Sequence, residues 1–153
     1  MKNRNAETLA QALLIAMFVV AIMSWSSVPA QIPIHWDISG QVDAYGSKFT
    51  GLLLLPIIAL AGYTLIGLTA VLSPAQFQGR AMNALSWFRL TYVLIMAGVF
   101  GVIVADVRGA NINMNYVIFP LLALMMIAII NLLIHTNRNK SAKTAPPGGG
   151  VQV

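Results

Sequence analysis

The sequence predicts an all-α membrane protein, a four-helix transmembrane bundle with a short extracytoplasmic cap between the first and second helices. Three observations carry that prediction. Of the 153 residues, 58% are hydrophobic and 8% are charged, against about a quarter charged in a soluble domain. So few charges cannot clothe a water-facing surface. Apolar runs recur along the chain, each close to the roughly 20 residues that cross a bilayer as a helix. Finally, one long polar stretch, residues 29–50, separates the first two runs.

The formal net charge of +5 would suggest a nucleic-acid partner in a soluble protein. Here the basic residues mark the ends of apolar runs, where the positive-inside rule accounts for them. The expected partner is therefore the lipid bilayer, with no nucleic acid. The absence of cysteine excludes disulfides, thiolate catalysis and cysteine-ligated zinc.

The first span is expected at about residues 8–27. Its apolar run, Leu9 to Val28, exceeds the roughly 7–15 residues of a signal-peptide core, so it reads as a retained helix. Ala12 and Ala16 offer a small-residue face for helix contact, and Pro29 ends the run. The second span is expected at about 51–72, with Ser47 as a candidate N-cap, Pro56 tolerable near its start, and Gly62 and Gly67 thinning one side. Ser73-Pro74 ends it. The third span is expected at about 83–104, where Ala97, Gly101 and Ala105 form the strongest close-packing face. The fourth is expected at about 116–135, with Pro120 near its first turn. Residues 1–135 thus form the transmembrane domain. Residues 136–153 are too polar and too rich in Gly and Pro to bury a face, and read as a disordered cytoplasmic tail.

Orientation follows from the basic residues. Lys2, Arg4, Arg80, Arg89, Arg138, Lys140 and Lys143 fall on one side, and Lys48 and Arg108 on the other. The richer side is cytoplasmic, which puts both termini inside and residues 29–50 outside. Asp37, Asp43 and Asp106 lie on the outer side with them.

Within the polar stretch, residues 31–39 alternate. Ile32, Ile34, Trp36 and Ile38 share one face, while His35 and Asp37 share the other. A three-residue turn at Ser39-Gly40-Gln41 keeps the apolar face intact by pairing Trp36 with Ala44 and Ile38 with Val42. It also sets Asp37 opposite Asp43 and His35 opposite Tyr45. Two facing carboxylates repel, so a positive partner is required: Lys48, Arg108, protonated His35 or a metal ion. His35, Asp37 and Asp43 have donors suited to zinc or a harder divalent ion, but their spacing matches no strong metal signature. No cofactor is implied. No activated nucleophile is evident, and the chain is not read as an enzyme.

The pattern Ile32-Pro33-x-His35-Trp36-Asp37-x-x-Gly40-x-x-Asp43-x-Tyr45-Gly46-x-Lys48, set between two apolar helices, resembles the opening module of the bacterial SdpI-like immunity proteins. The likeness covers roughly residues 10–70 and reaches the last two spans only by hydropathy. It implies a multi-pass protein of the bacterial plasma membrane. The namesake of that family protects its producer from a secreted, membrane-active peptide toxin. It also captures a cytoplasmic autorepressor at the membrane, a signal-transduction role. Its Arg-Thr-Pro and Glu-x-x-Trp elements do not occur here. The motif positions that carry over are Pro33, His35, Trp36, Asp37, Gly40, Asp43, Gly46 and Lys48.

The expected function is an immunity or receptor module that binds a peptide or other ligand. His35, Trp36, Asp37, Asp43, Tyr45 and Lys48 would do the binding, and Pro33, Gly40 and Gly46 would shape the loop. Two alternatives stand beside it: an accessory subunit of a membrane-protein complex or homo-oligomer, docking through Ala97, Gly101 and Ala105, and a metal-dependent enzyme. Arg89 is expected to snorkel to the headgroups beside Trp87 and Tyr92. Asp106 and Arg108 are expected to form an interfacial ion pair. Asn131 is read as helix–helix glue, and His135 as interfacial rather than a ligand. The spans show no buried acid of the kind that marks an ion pathway, which argues against a transporter.

Overall fold

The computed structural model describes residues 3–144, with side chains to Ser141. Helix α1 (Arg4–Ser24) leads into an antiparallel hairpin of β1 (Gln31–Trp36) and β2 (Val42–Ser47). A π-helical turn at Phe49–Leu53 then opens α2 (Leu54–Leu72), followed by α3 (Arg80–Val107) and α4 (Asn115–Thr144). Each of the four spans is long and apolar enough to cross a membrane. The predicted four-helix architecture is therefore observed, and its cap is a two-stranded sheet.

The helix boundaries differ from those expected, for local reasons. α1 begins before Thr8 because the Asn3 side chain accepts from the backbone N–H of Ala6 at 3.2 Å. At the start of the second span, Ser47 Oγ accepts from Thr50 N at 3.3 Å, as a cap should. α4 does not stop at His135. Thr136 folds its hydroxyl back onto the Leu132 carbonyl at 2.9 Å. Asn139 donates to the carbonyls of Gln76 at 2.8 Å and Gln78 at 3.1 Å, so the α2–α3 connection holds the extension. Residues 136–144 are thus helical rather than a disordered tail, while residues 145–153 lie outside those described, as do Lys2 and the Lys143 side chain.

α3 is the central helix. It packs on α1, α2 and α4, and among the described helices α4 touches only α3. α1 buries Ala6, Ala10, Leu14, Met17, Ala21 and Ser24, a stripe at helical spacing. The expected Ala12/Ala16 face is instead exposed. α4 packs tightly on α3 at Gly98, where a Cβ would lie 2.5 Å from Leu121 Cδ1. The Ala97/Gly101/Ala105 stripe has no helix seated on it. It lines an open apolar groove of about 320 Å³ between α1 and α3, and a Cβ on Gly101 would meet nothing within 4 Å.

Three helices are tied by a buried ion pair. Arg89 of α3 donates from Nη1 to Glu7 Oε2 of α1 at 2.7 Å, with side-chain exposures of 12% and 7%. The Tyr63 hydroxyl of α2 donates to the same oxygen at 2.7 Å. Arg89 Nε also donates to the Tyr63 carbonyl at 3.2 Å, and its guanidinium lies 3.7 Å from the Tyr63 ring centroid. Arg89 therefore turns inward instead of snorkelling, and the spans do contain a buried acid. Gly67 makes room for it, since a Cβ there would sit 2.9 Å from Arg89 Nη2. Gly62 likewise admits the Tyr92 ring, whose hydroxyl donates to the Ile58 carbonyl at 2.9 Å.

Removing one partner of such a pair leaves a buried charge uncompensated. Arg89→Met should destabilise the detergent-solubilised protein by about 3–5 kcal/mol. The double variant Glu7→Gln/Arg89→Met should recover part of that loss. Thermal unfolding followed by circular dichroism measures both, and equal stability of wild type and Arg89→Met would show that the pair does not hold the helices.

Candidate functional site at the hairpin

The hairpin register differs from the one expected. Trp36 faces Val42, His35 faces Ala44 and Pro33 faces Tyr45, with irregularities between Pro33 and Trp36. Five residues, 37–41, therefore form the loop instead of three. Asp37 is the reason. Its Oδ1 accepts from Ser39 Oγ at 2.6 Å, Ser39 N at 2.8 Å and Gln41 N at 3.0 Å. Its own N–H donates to the Gln41 carbonyl at 2.8 Å. Asp37 is thus consumed by the turn and does not face Asp43. Gly40 completes the turn with φ of +80°, a left-handed conformation that costs other residues more.

The alternation along β1 also breaks. Ile32 is fully buried and Pro33 is buried beside it, while Ile34 and His35 are exposed. Ile34 lies over Gly46, where a Cβ would come within 2.9 Å of its Cδ1. Ile38 is 96% exposed at the loop tip, so it is not part of an apolar underside.

Asp43 pairs with His35. Its Nδ1 lies 2.5 Å from Asp43 Oδ1, on an exposed face. Exposed pairs of this kind contribute about 0–1 kcal/mol. Asp37 does not join them, and among the described residues no group of three His, Cys, Asp or Glu converges on a metal-sized site. Lys48 turns elsewhere, donating to the Trp25 carbonyl at 2.9 Å. Arg108 donates to Ser24 Oγ at 3.4 Å, and its guanidinium forms no ion pair with the Asp106 carboxylate. Both cations thus sit at the C-terminal end of α1, where the helix dipole favours positive charge.

Asp106 does not form the expected ion pair. One carboxylate oxygen accepts from Trp36 Nε1 at 3.2 Å, and the other from the Ile112 N–H at 2.8 Å. The α3–α4 turn then clasps the hairpin tip. Asn113 Nδ2 donates to the Ser39 carbonyl, and Asn115 Nδ2 to the Ile38 carbonyl, each at 2.9 Å. Gly40 is pressed against the Asn113 amide, so the glycine is required there for space as well as for φ. The sequence reading gave these asparagines no role. Their signal was an Asn-x-Asn-x-Asn run in the only other connection at this end of the bundle.

Between the hairpin and this turn lies a cavity of about 230 Å³, lined by Trp36, Gln41, Tyr45, Asp106 and Asn111 among others. The structure therefore divides the predicted binding residues. Trp36 and Tyr45 line the cavity, His35 and Asp43 pair outside it, and Asp37 and Lys48 hold the hairpin in shape.

Fold and site together define a multi-pass membrane protein that carries a clasped β-hairpin between its first two spans. Residues 12–60 match a family described as a domain of unknown function (DUF1648). The segment holds most of α1, the whole hairpin and the start of α2. An uncharacterized membrane protein of Bacillus subtilis (strain 168), YbgB, is 34% identical over 44 residues, which are 29% of this chain and 48% of that protein. The match thus spans about half the length of that relative. No solved structure matches the chain. These likenesses agree with the four spans in indicating a membrane protein.

Two outcomes follow from the clasp. Asn113→Ala and Asn115→Ala should each cost about 1 kcal/mol, the net worth of one hydrogen bond. Hydrogen exchange at Ser39–Val42 should speed up accordingly, and unchanged protection would remove the clasp from the account. The second outcome concerns pH. The hydroxyl of Ser39 and then the N–H of Gln41 hold the Asp37 carboxyl below its ordinary 3.8. A lowered folded-state pKa contributes stability that is full above 3.8 and is lost as pH falls through the lower value. Amide protection of Ser39 and Gln41 should therefore hold above pH 3.8 and fall below it, and Asp37→Ala should abolish that pH dependence.

Proposed function

We propose that the chain is an immunity- or receptor-type binding module of the bacterial plasma membrane, with both termini cytoplasmic and the hairpin outside. In this reading it recognises a cationic group of a peptide in the cavity beneath the hairpin and is not an enzyme. The observation that carries the reading is the cavity's composition. One carboxylate, Asp106, stands beside the indole of Trp36 and the phenol of Tyr45. A carboxylate with aromatic faces suits an ammonium or guanidinium group, at about 0.5–2 kcal/mol per aromatic contact.

Charge supports the same ligand. Asp37, Asp43 and Asp106 lie at this end, and its two cations, Lys48 and Arg108, are engaged at the α1 terminus. The resulting field draws cationic peptides toward the hairpin. At about 230 Å³ the cavity is smaller than most drug-sized pockets, so it suits one side chain or a terminal amine rather than a whole peptide.

The test uses the full chain in lipid nanodiscs, with Trp25 and Trp87 replaced by Phe so that Trp36 alone reports. A lysine-rich membrane-active peptide should shift its fluorescence saturably, and Tyr45→Ala should weaken that binding roughly tenfold, within what one aromatic contact supplies. Cells producing the Tyr45→Ala form at equal membrane level should lose protection against the peptide. Equal binding and equal protection by the variant would sink this reading.

A second reading is favoured by one observation. Only 6% of the apolar window of α4 is buried, and the Ala97/Gly101/Ala105 groove stands open. An accessory subunit of a larger membrane complex would use such surfaces. Purification in mild detergent discriminates: a stable partner supports this reading, and a chain that always runs at its own mass rejects it.

A further inference from the structure

The end of the bundle opposite the hairpin holds a second cavity, of about 480 Å³, where the α2–α3 connection meets α4. Arg80 enters it from the first turn of α3, and His135 and Arg138 enter from α4. His135 and Arg138 are three residues apart and so share a helix face. Asn139 fixes this geometry in advance through its two hydrogen bonds to the connection.

Among the described residues no acid offsets these cations. Of the four acidic residues in the chain, three lie at the hairpin end, and Glu7 is bound by Arg89 and Tyr63. Among the described residues, neither Arg80 nor Arg138 lies within salt-bridge distance of a carboxylate. Two exposed guanidinium groups that line one cavity, with no counter-ion among the described residues, are available to an external anion. Their planar, paired N–H groups match phosphate oxygens. The surroundings say where that phosphate comes from. Val71 and Leu72 just before the connection, and Leu133 and Ile134 just before His135, expose apolar side chains at the same level. A ligand with a phosphate head and acyl chains satisfies both surfaces at once.

We propose that this cavity binds the phosphate headgroup of an anionic phospholipid, through Arg80, Arg138 and the imidazole of His135. The site is separate from the hairpin cavity and does not depend on the function proposed for it. Basic pockets between spans are a recognised way of holding anionic headgroups.

The test is retention and stabilisation of the full chain in a neutral detergent. Short-chain phosphatidylglycerol should raise the melting temperature and stay bound in native mass spectrometry, whereas phosphatidylcholine of the same chain length should do neither. Arg80→Gln/Arg138→Gln should weaken the phosphatidylglycerol effect at least tenfold, and Arg80→Lys/Arg138→Lys, which keeps the charge but loses the planar fork, should keep only part of it. Arg4→Gln removes a charge from the same end but outside the cavity, and should leave the effect unchanged. An equal loss in Arg4→Gln, or no loss in the double glutamine variant, would overturn the site. Stabilisation by millimolar inorganic phosphate equal to that by the lipid would overturn the lipid assignment.

Discussion

The bundle depends on how one charge is neutralised inside an apolar protein. Glu7 and Arg89 stand on different helices within spans where an unpaired charge costs several kcal/mol. Each satisfies the other, and Tyr63 brings the third helix to the same point. Because lipid tails are as apolar as the helix surfaces, burial alone does not tell α1, α2 and α3 how to associate. A directional pair with fixed partners does. The stripe that α1 buries, the inward turn of Arg89 and the small residue at Gly67 all follow from it.

The opposite end of the bundle is organised by hydrogen bonds at the membrane edge. There the hairpin would be marginal as an isolated two-stranded sheet. It is stabilised from three directions: Ile32 is buried at its base, Asp106 receives Trp36, and Asn113 and Asn115 hold the tip. Lys48 anchors its exit to the end of α1. The last connection of the chain thus closes over the first, and a cavity is left between them. Shape and polarity at that cavity arise from residues some 70 positions apart, as the Trp36–Asp106 bond is.

The two ends differ in chemistry. The hairpin end gathers carboxylates, aromatic rings and carboxamides, whereas the cavity at the other end gathers the guanidinium groups of Arg80 and Arg138 with no acid beside them among the described residues. One chain therefore carries a cavity lined by a carboxylate and aromatic rings and another lined by guanidinium groups, separated by the length of its own helices. The apolar surface of α4 between them remains mostly uncovered.

Much of this was legible in the sequence. Runs of about 20 apolar residues bounded by Pro, Gly and basic residues determine four spans, since hydropathy and helix length are local properties. The alternation at Gln31–Trp36 likewise announced a hairpin, and the glycine at position 40 announced its turn. Register was not determined, because Asp37 chose it by capturing three donors of its own loop rather than by facing outward. Nor were the distant partners of Glu7, Arg89, Lys48 and Asp106, which lie 23 to 82 positions away in sequence. A charge near the end of a span has two low-energy choices, the headgroups or another helix, and periodicity does not distinguish them. Only the packed bundle decides, by placing an acid, a ring and a gap at Gly67 where the guanidinium can reach them.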